Sequence, residues 1–582
     1  MIFRPHPTGP FPSSSLVIAD TRSAECIYWI SRLLKDCMTH HKCCSTPDPA
    51  FRPHRLIDLE PLKFRASVRN PQDTVRLVLG QDIHRNAFYA ALSYCWGENL
   101  AGFVRTVAGN LSAHYDNISI TSLPRTVQDA ISVCRELKVR YLWIDALCIV
   151  QDDEREWRHE AALMSKIYEN SHLTLAAQRA SSSQDGFLGP QRFGGPLWQQ
   201  PLDRKFRVSR YSRGKTVFLR PSLAEGRGVP PLSSRGWTFQ ECLLSRRIVH
   251  FTEDQMLWCC NKRLCSERDA TRDPMSTGPS PIGRQLLNIS QTSAEYSPGM
   301  MWMNLVEMYS ARRLTKSSDK LIAISAVAQV ISQLPSPGAV GGATRPPLRY
   351  LAGLFQEYLP GQLAWFMKHP DDQRGQDPVA HEPQKLSPYR APTWSWASRD
   401  GQIIFDDWYD DPTTQMLAEV EDDRTFVIPI VEGDATGGVK WAELTVTGKV
   451  IPVVLRTVGQ NSGGASQVKT QVSAGTGCNL TVKTDLIRTD VITGHDEDSC
   501  WPGDCPGCGS CAVGSRSLGD ATYCCLLLFK RHAGGSAVLL VLERSITTEQ
   551  AWKRVGIVLM FLNKDSERGF LDTGCETTIT IV

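Results

Sequence analysis

Tyr141-Leu142-Trp143-Ile144-Asp145-Ala146-Leu147-Cys148-Ile149 is an apolar run broken by a single aspartate. Such a run suits a strand buried on both faces, since a strand wetted on one side would alternate apolar with polar residues. Its neighbours decide the fold. Upstream, Ser122 offers a cap, Pro124 sits near the helix start, and Val127, Ala130, Ile131, Cys134 and Leu137 form one apolar stripe. Downstream, a helix is predicted from about Glu154 to Asn170, with Ala161, Met164, Ile167, Tyr168 and Ser171 on one side, and then a short strand from Leu173 to Ala177. Helix, strand, helix, strand at these lengths predicts a parallel sheet with crossover helices.

Working outward, residues 85–260 are expected to form this α/β core. Residues 1–84 read as an N-terminal extension: a Pro- and Ser-rich start, a helix from about Ala24 to Met38, then strands at Arg55 to Leu59 and Val75 to Leu79. Beyond the core, Gly236 to Leu244 reads as helix and Arg247 to Phe251 as strand. Residues 261–389 are expected to be a helical and loop extension, with helices at 301–330 and 350–366. From about 390 to 582 the pattern turns to β, at Phe426 to Val431, Ala442 to Pro452, Cys524 to Lys530, Ala537 to Glu543 and Arg554 to Leu562. Residues 458–522 read as a Cys-rich insertion in that half.

At 582 residues, with roughly 100–200 residues per domain, several domains are expected. The formal charge is only +3, from 64 Lys and Arg against 61 Asp and Glu, which argues against a nucleic-acid or anionic-membrane surface. The longest apolar runs are strand-sized, well short of the ~20 residues of a membrane span. The start, Met1-Ile2-Phe3-Arg4-Pro5, shows no signal-peptide h-region. Nineteen cysteines without such a signal read as reduced thiols, so the expected location is the cytoplasm.

The common nucleotide-binding and hydrolase motifs are missing: Gly214-Lys215-Thr216 lacks the first glycine of a P-loop, Ser209 standing in its place. What remains is a set of tryptophan-containing blocks. They are Leu92-Ser93-Tyr94-Cys95-Trp96-Gly97, Leu142-Trp143-Ile144-Asp145 through Asp153, Gly236-Trp237-Thr238-Phe239-Gln240-Glu241, and Ala391-Pro392-Thr393-Trp394-Ser395-Trp396. With Leu123-Pro124-Arg125-Thr126, Asp129-Ala130, Arg55-Leu56-Ile57-Asp58 and Asp319-Lys320-Leu321, these blocks resemble the fungal heterokaryon incompatibility (HET) domain. The core resemblance covers about 87–242. Val150 departs from it, standing where family members often carry Asn.

The resemblance implies a role in fungal self/non-self recognition, where HET proteins trigger cell death after incompatible cells fuse. It also implies a TIR-like (flavodoxin-like) fold, because the HET domain is regarded as a distant relative of TIR domains. Some TIR domains cleave NAD at the nicotinamide–ribose bond, using a glutamate four residues after a tryptophan. Trp237 and Glu241 have that spacing. Glu241 is therefore the candidate catalytic carboxylate, and NAD the candidate substrate; the reaction needs no metal or further cofactor.

Sheet geometry adds to this. In an open parallel sheet, ligands bind beyond the carboxyl ends of the strands. The strand ending in Trp96-Gly97 and the strand entering Asp145 should present those residues on one edge. Trp96 can stack on a flat ring, Gly97 lets backbone approach a ligand closely, and Asp145 and Trp237 complete the expected lining. Each has a plainer reading: Asp145 pairing with Arg125 or Arg140, Glu241 and Glu160 as surface charges, and Trp143, Trp394 and Trp396 as core anchors. Cys148 reads as a buried thiol.

Two clusters of metal-ligand type stand apart. Cys500, Cys505, Cys508 and Cys511, with Cys478 or His495 nearby, have enough thiolates for one zinc, yet their crowded spacing favours a metal-free, oxidisable loop. Cys37, His40, His41, Cys43 and Cys44 form the second cluster, read as adventitious. Two functions stay open: an effector hydrolysing NAD through Glu241, and a non-enzymatic module that acts by self-association or by binding a protein partner.

Overall fold

The computed structural model describes residues 17–44, 48, 50–60, 73–98, 103–191, 205–207, 216–218, 229–267, 297–334, 346–368, 389–405, 414–430, 436–462, 465–473, 479–484, 522–531, 536–545, 548, 551–561, 571 and 574–582. The chain forms two compact units, Met1–Thr292 and Ser293–Val582.

The first unit contains, in chain order, strands β1 (Arg55–Asp58), β2 (Thr74–Leu79), β3 (Tyr89–Ser93), β4 (Ile118–Ser119), β5 (Tyr141–Trp143), β6 (Leu173–Ala176), β7 (Lys205–Arg207), β8 (Thr216–Phe218), β9 (Arg247–Phe251), β10 (Met256–Cys260) and β11 (Leu264–Ser266). Strands β7 and β8 make a separate hairpin. The other nine form one sheet in the order β11-β10-β9-β6-β3-β5-β1-β2-β4. Four central strands, β5, β3, β6 and β9, run parallel. Both flanks are antiparallel: β1, β2 and β4 on one side, β10 and β11 on the other. The sheet is therefore mixed, where a parallel one is expected from the helix–strand alternation. The reason is that β1 and β2 precede the alternating segment, and β10 returns from β9 by a tight hairpin that forces reversal.

Helices α1 (Ala24–His40), α2 (Leu111–Asp116), α3 (Arg125–Glu136), α4 (Asp145–Cys148), α5 (Glu154–Glu169) and α6 (Thr238–Leu244) complete this unit. The apolar stripe of α3 is buried as its spacing predicts, at Val127, Ala130, Ile131 and Cys134. Ser122 does not cap it: the helix opens at Pro124, and the Ser122 hydroxyl donates to the Ser119 carbonyl instead. Asp153 caps α5 by accepting from the Arg155 and Glu156 amides.

The run 141–149 is only partly strand. Strand β5 ends at Trp143, and the chain coils at Asp145 into α4, whose first carbonyl, that of Ile144, accepts from the Cys148 amide at 2.8 Å. The charged ends of the Arg55-Leu56-Ile57-Asp58 block brace the two ends of this segment, Arg55 at the turn and Asp58 before β5. Arg55 donates to the Cys148 carbonyl at 2.9 Å and pairs with Glu156, while Asp58 accepts two bonds from Arg140 at 2.8 and 2.9 Å.

The second unit opens with α7 (Pro298–Ser310) and α8 (Ser325–Ser332). Residues 350–366, expected as helix, instead form short strands and 3₁₀ turns. Tyr350–Leu351 pairs with Leu354–Phe355, and Trp365–Met367 pairs with Ile403–Phe405. The turn between the first two strands places Ala352 and Gly353 at φ of 46° and 107°, which no helix contains. The remainder is a ten-stranded, almost wholly antiparallel sheet around the long strand Val439–Ser462. Among the described residues no helix is long and apolar enough to cross a membrane.

Candidate functional site

Strand β3 lies between β5 and β6, so the chain leaves it first to one side and later crosses to the other. A crevice opens beyond the carboxyl ends of strands at such a switch point. Ser93 closes β3, and Tyr94, Cys95, Trp96 and Gly97 follow it at this edge.

Two carboxylates converge on these residues from opposite neighbours. From α6, Glu241 accepts a hydrogen bond from the Ser93 hydroxyl at 2.5 Å. From the turn after β5, Asp145 accepts from the Trp96 indole at 2.9 Å and from the Ala146 amide at 2.7 Å. Arg235, just before α6, donates to the Tyr94 carbonyl at 2.6 Å, and its charge favours the ionised form of both acids. Tyr168 of α5 donates to the Leu92 carbonyl at 3.1 Å.

The cluster is dry on one side and open on the other. Glu241 is only 7% exposed, whereas Trp96, Gly97 and Asp145 are half-buried. Burial, joined by the charge of Asp145, pushes Glu241 up to about 7, against the Ser93 bond and Arg235. Burial raises Asp145 as well, opposed first by Arg235 and then by the donors it holds. The Tyr94 hydroxyl is buried and faces the Asp145 carboxylate. Burial, then the charge of Asp145, keeps it a neutral phenol.

A second loop holds the rim. At the start of α3, the Thr126 amide donates to the Ser183 carbonyl at 2.9 Å, and Asp129 accepts from the Phe187 and Leu188 amides at 2.7 and 3.0 Å. The Ser183 hydroxyl in turn donates to the Trp96 carbonyl at 3.1 Å. Gly97, at φ 94°, lies so close to this loop that a Cβ would come within 2.8 Å of the Ser182 Cβ. Its glycine is thus required by packing and by backbone conformation together.

Of the residues singled out from sequence, Glu241, Asp145, Trp96 and Gly97 gather around the end of β3. Asp145 bonds Trp96 rather than an arginine of the Arg125 or Arg140 positions. Trp237 meets the Trp157 ring of α5 edge-on, with centroids 6.0 Å apart. Trp143 is fully buried against Tyr168, and Cys148 is a buried thiol pushed up to about 12 by burial. Glu160 is not a surface charge: it is buried, 3.9 Å from His54. In the second unit Trp394 and Trp396 are fully buried core residues. Cys478, His495, Cys500, Cys505, Cys508 and Cys511 lie outside the described residues. Sequence reasoning missed Ser93, Tyr94, Arg235 and Tyr168. The one available signal was polarity at the end of an apolar strand, at Ser93.

The fold and site define an α/β protein whose paired acids sit at a sheet switch point. Residues 89–241 match the family described as "Heterokaryon incompatibility protein (HET)", a segment running from the first residue of β3 to Glu241 itself. The chain is also 28% identical over 131 residues to heterokaryon incompatibility protein 6, OR allele, of Neurospora crassa. That similarity covers 21% of this chain and 18% of the relative, so the chain spans under a fifth of the relative's length. No solved structure matches the chain.

Proposed function

We propose that the chain acts in the incompatibility response, as an effector that hydrolyses NAD at the β3 edge with Glu241 as the essential carboxylate. The observation that carries the reading is the convergence of Glu241 and Asp145 on one strand end, beside a buried phenol and a half-buried indole. In the reaction, the bond between the nicotinamide nitrogen and ribose C1′ breaks and its electron pair leaves on nicotinamide. Positive charge then develops on the ribose, and an ionised carboxylate near C1′ stabilises it before water adds and loses a proton. Ser93 orients Glu241, and Arg235 favours its ionised form. The strand order β5-β3-β6-β9 is the arrangement a flavodoxin-like, and so TIR-like, core would have.

The test is nicotinamide release by the full chain at high protein concentration, beside Glu241→Gln. Release from the parent that disappears in the variant supports the enzyme. Release at the parent rate from Glu241→Gln, or none from either, defeats it. Cell death that survives Glu241→Gln would point to the alternative, a module acting by self-association or through a protein partner.

A further inference from the structure

The end of α1 and the edge of the sheet bring four metal-type ligands together, independently of the acids at β3. Cys37 lies on the last turn of α1, and His41 follows at its C-cap, where its amide donates to the Cys37 carbonyl. Cys44 ends the 3₁₀ turn that comes next, and Cys260 ends β10. Their Sγ and Nδ1 atoms all lie within 4.8 Å of one another. His41 Nδ1 is 3.4 Å from Cys260 Sγ and 4.0 Å from Cys44 Sγ. Zinc bonds of about 2.3 Å to sulfur and about 2.0 Å to nitrogen put the corners of a tetrahedron roughly 3.5–3.8 Å apart. The two His41 distances bracket that spacing, and no pair of the four is more than 4.8 Å apart. Three of the four residues are buried, and His41 is half-buried.

A second observation concerns charge. Arg247, only 2% exposed, sits opposite Cys260 on the neighbouring strand and donates to Cys37 Sγ at 3.3 Å. It also donates to the Cys44 and His172 carbonyls. Among the described residues no carboxylate pairs with it, and a buried guanidinium without a counter-charge is costly. Three thiolates, one neutral imidazole and one Zn²⁺ carry a net charge of −1. The guanidinium would neutralise that charge and orient a ligating sulfur, as outer-shell partners of zinc sites do.

We propose that Cys37, His41, Cys44 and Cys260 form a closed structural zinc site. With four protein ligands no position stays open for water, so the metal is a staple and not a catalyst. It fastens the N-terminal helix to the β9–β10 hairpin, and Arg247 is six residues beyond Glu241. Cys43, exposed and 4.0 Å from Cys44, lies outside the set of four.

The test is metal analysis of the full chain purified without chelator from zinc-supplemented cells. About one zinc per chain is expected from the parent and from a variant with Cys500, Cys505, Cys508 and Cys511 all changed to Ser. Loss is expected in Cys260→Ser and Cys44→Ser. Because a Ser variant could lose zinc by failing to fold, Cys260→His serves as the second variant. It should retain the metal, and its cobalt-substituted form should keep a tetrahedral spectrum with weaker thiolate-to-metal charge transfer. A metal-free parent would overturn the proposal. So would zinc retained in Cys260→Ser but lost from the loop variant, or a Cys37–Cys44 disulfide in the purified parent.

Discussion

Both units bury tryptophan, but they use its indole N–H differently. In the second unit, Trp302 and Trp396 donate to the same backbone carbonyl, that of Gly353, at 2.8 and 2.7 Å, and Trp365 donates to the Trp394 carbonyl at 2.9 Å. All these rings are fully buried. In the first unit the Trp96 indole donates to a side-chain carboxylate and its ring stays half-exposed. Backbone carbonyls at this edge, those of Leu92, Tyr94 and Trp96, accept from other side chains, Tyr168, Arg235 and Ser183. An acid partner alone does not set Trp96 apart, since Trp441 of the second unit donates to Glu443 at 3.1 Å; what distinguishes Trp96 is that its acid lies at the carboxyl end of the parallel strands.

The largest effect that would break this comparison concerns catalysis. Glu241→Gln should lower nicotinamide release by about 10²–10³-fold, the range for loss of a preorganised electrostatic group, as read in initial rates. Next, Trp396→Ala should cost the second unit about 3–5 kcal/mol, measured by denaturant unfolding of the full chain, while Trp96→Ala should cost clearly less. A reversed order would mean that the half-exposed ring is the true anchor. Trp96→Phe keeps the ring but removes a donor to a charged acceptor. That loss should cost the first unit about 1.5–3 kcal/mol in denaturant unfolding of the full chain.

The smallest effect is a pH dependence of opposite sign in the two units. Glu241 and Glu267 are pushed up to about 7 from 4.5, chiefly by burial. The folded form holds these protons longer, so the first unit loses stability as pH rises from about 4.5 to about 7. The loss is on the order of 3 kcal/mol per group as an upper bound. Glu241→Gln, which still accepts from Ser93, should flatten part of that slope. In the second unit burial lowers Lys320 to about 7. There the unfolded chain binds the extra proton between about pH 7 and 10.5, so stability rises with pH across that window and Lys320→Met removes the rise. Calorimetry of the full chain from pH 5 to 9 reads both.

The central strands and helices were legible because their periods differ, and because the apolar stripes of α3 and α5 are long enough to count. The end of β5 was not legible. Tyr141 to Ile149 is apolar throughout except at Asp145, and such a run cannot distinguish strand from a buried helical turn. The switch lies in propensity: Tyr141, Trp143 and Ile144 favour strand, whereas Ala146 and Leu147 favour helix. The 350–366 stretch was misread because its apolar residues match a helical stripe, while Gly353 and Pro360 punctuate it into turns. Asp145 and Trp96 were visible as site residues from strand ends, yet Arg235 was not, since nothing local ties it to Tyr94. Cys260 was invisible beside Cys44 for the same reason: 216 positions separate them, and only the β10 edge brings them together.

The parallel order of β5, β3, β6 and β9 has a consequence for synthesis. Asp145 and Glu241 are 96 positions apart, and the helix bearing Glu241 packs on α5 and on the end of β3, both made well before it. A nascent chain on the ribosome therefore carries Asp145 and the β3 end long before it carries a completed site. Translation arrested anywhere before Glu241 yields a fragment without the pair of acids, so the chain becomes competent at this site only once most of the first unit has been made.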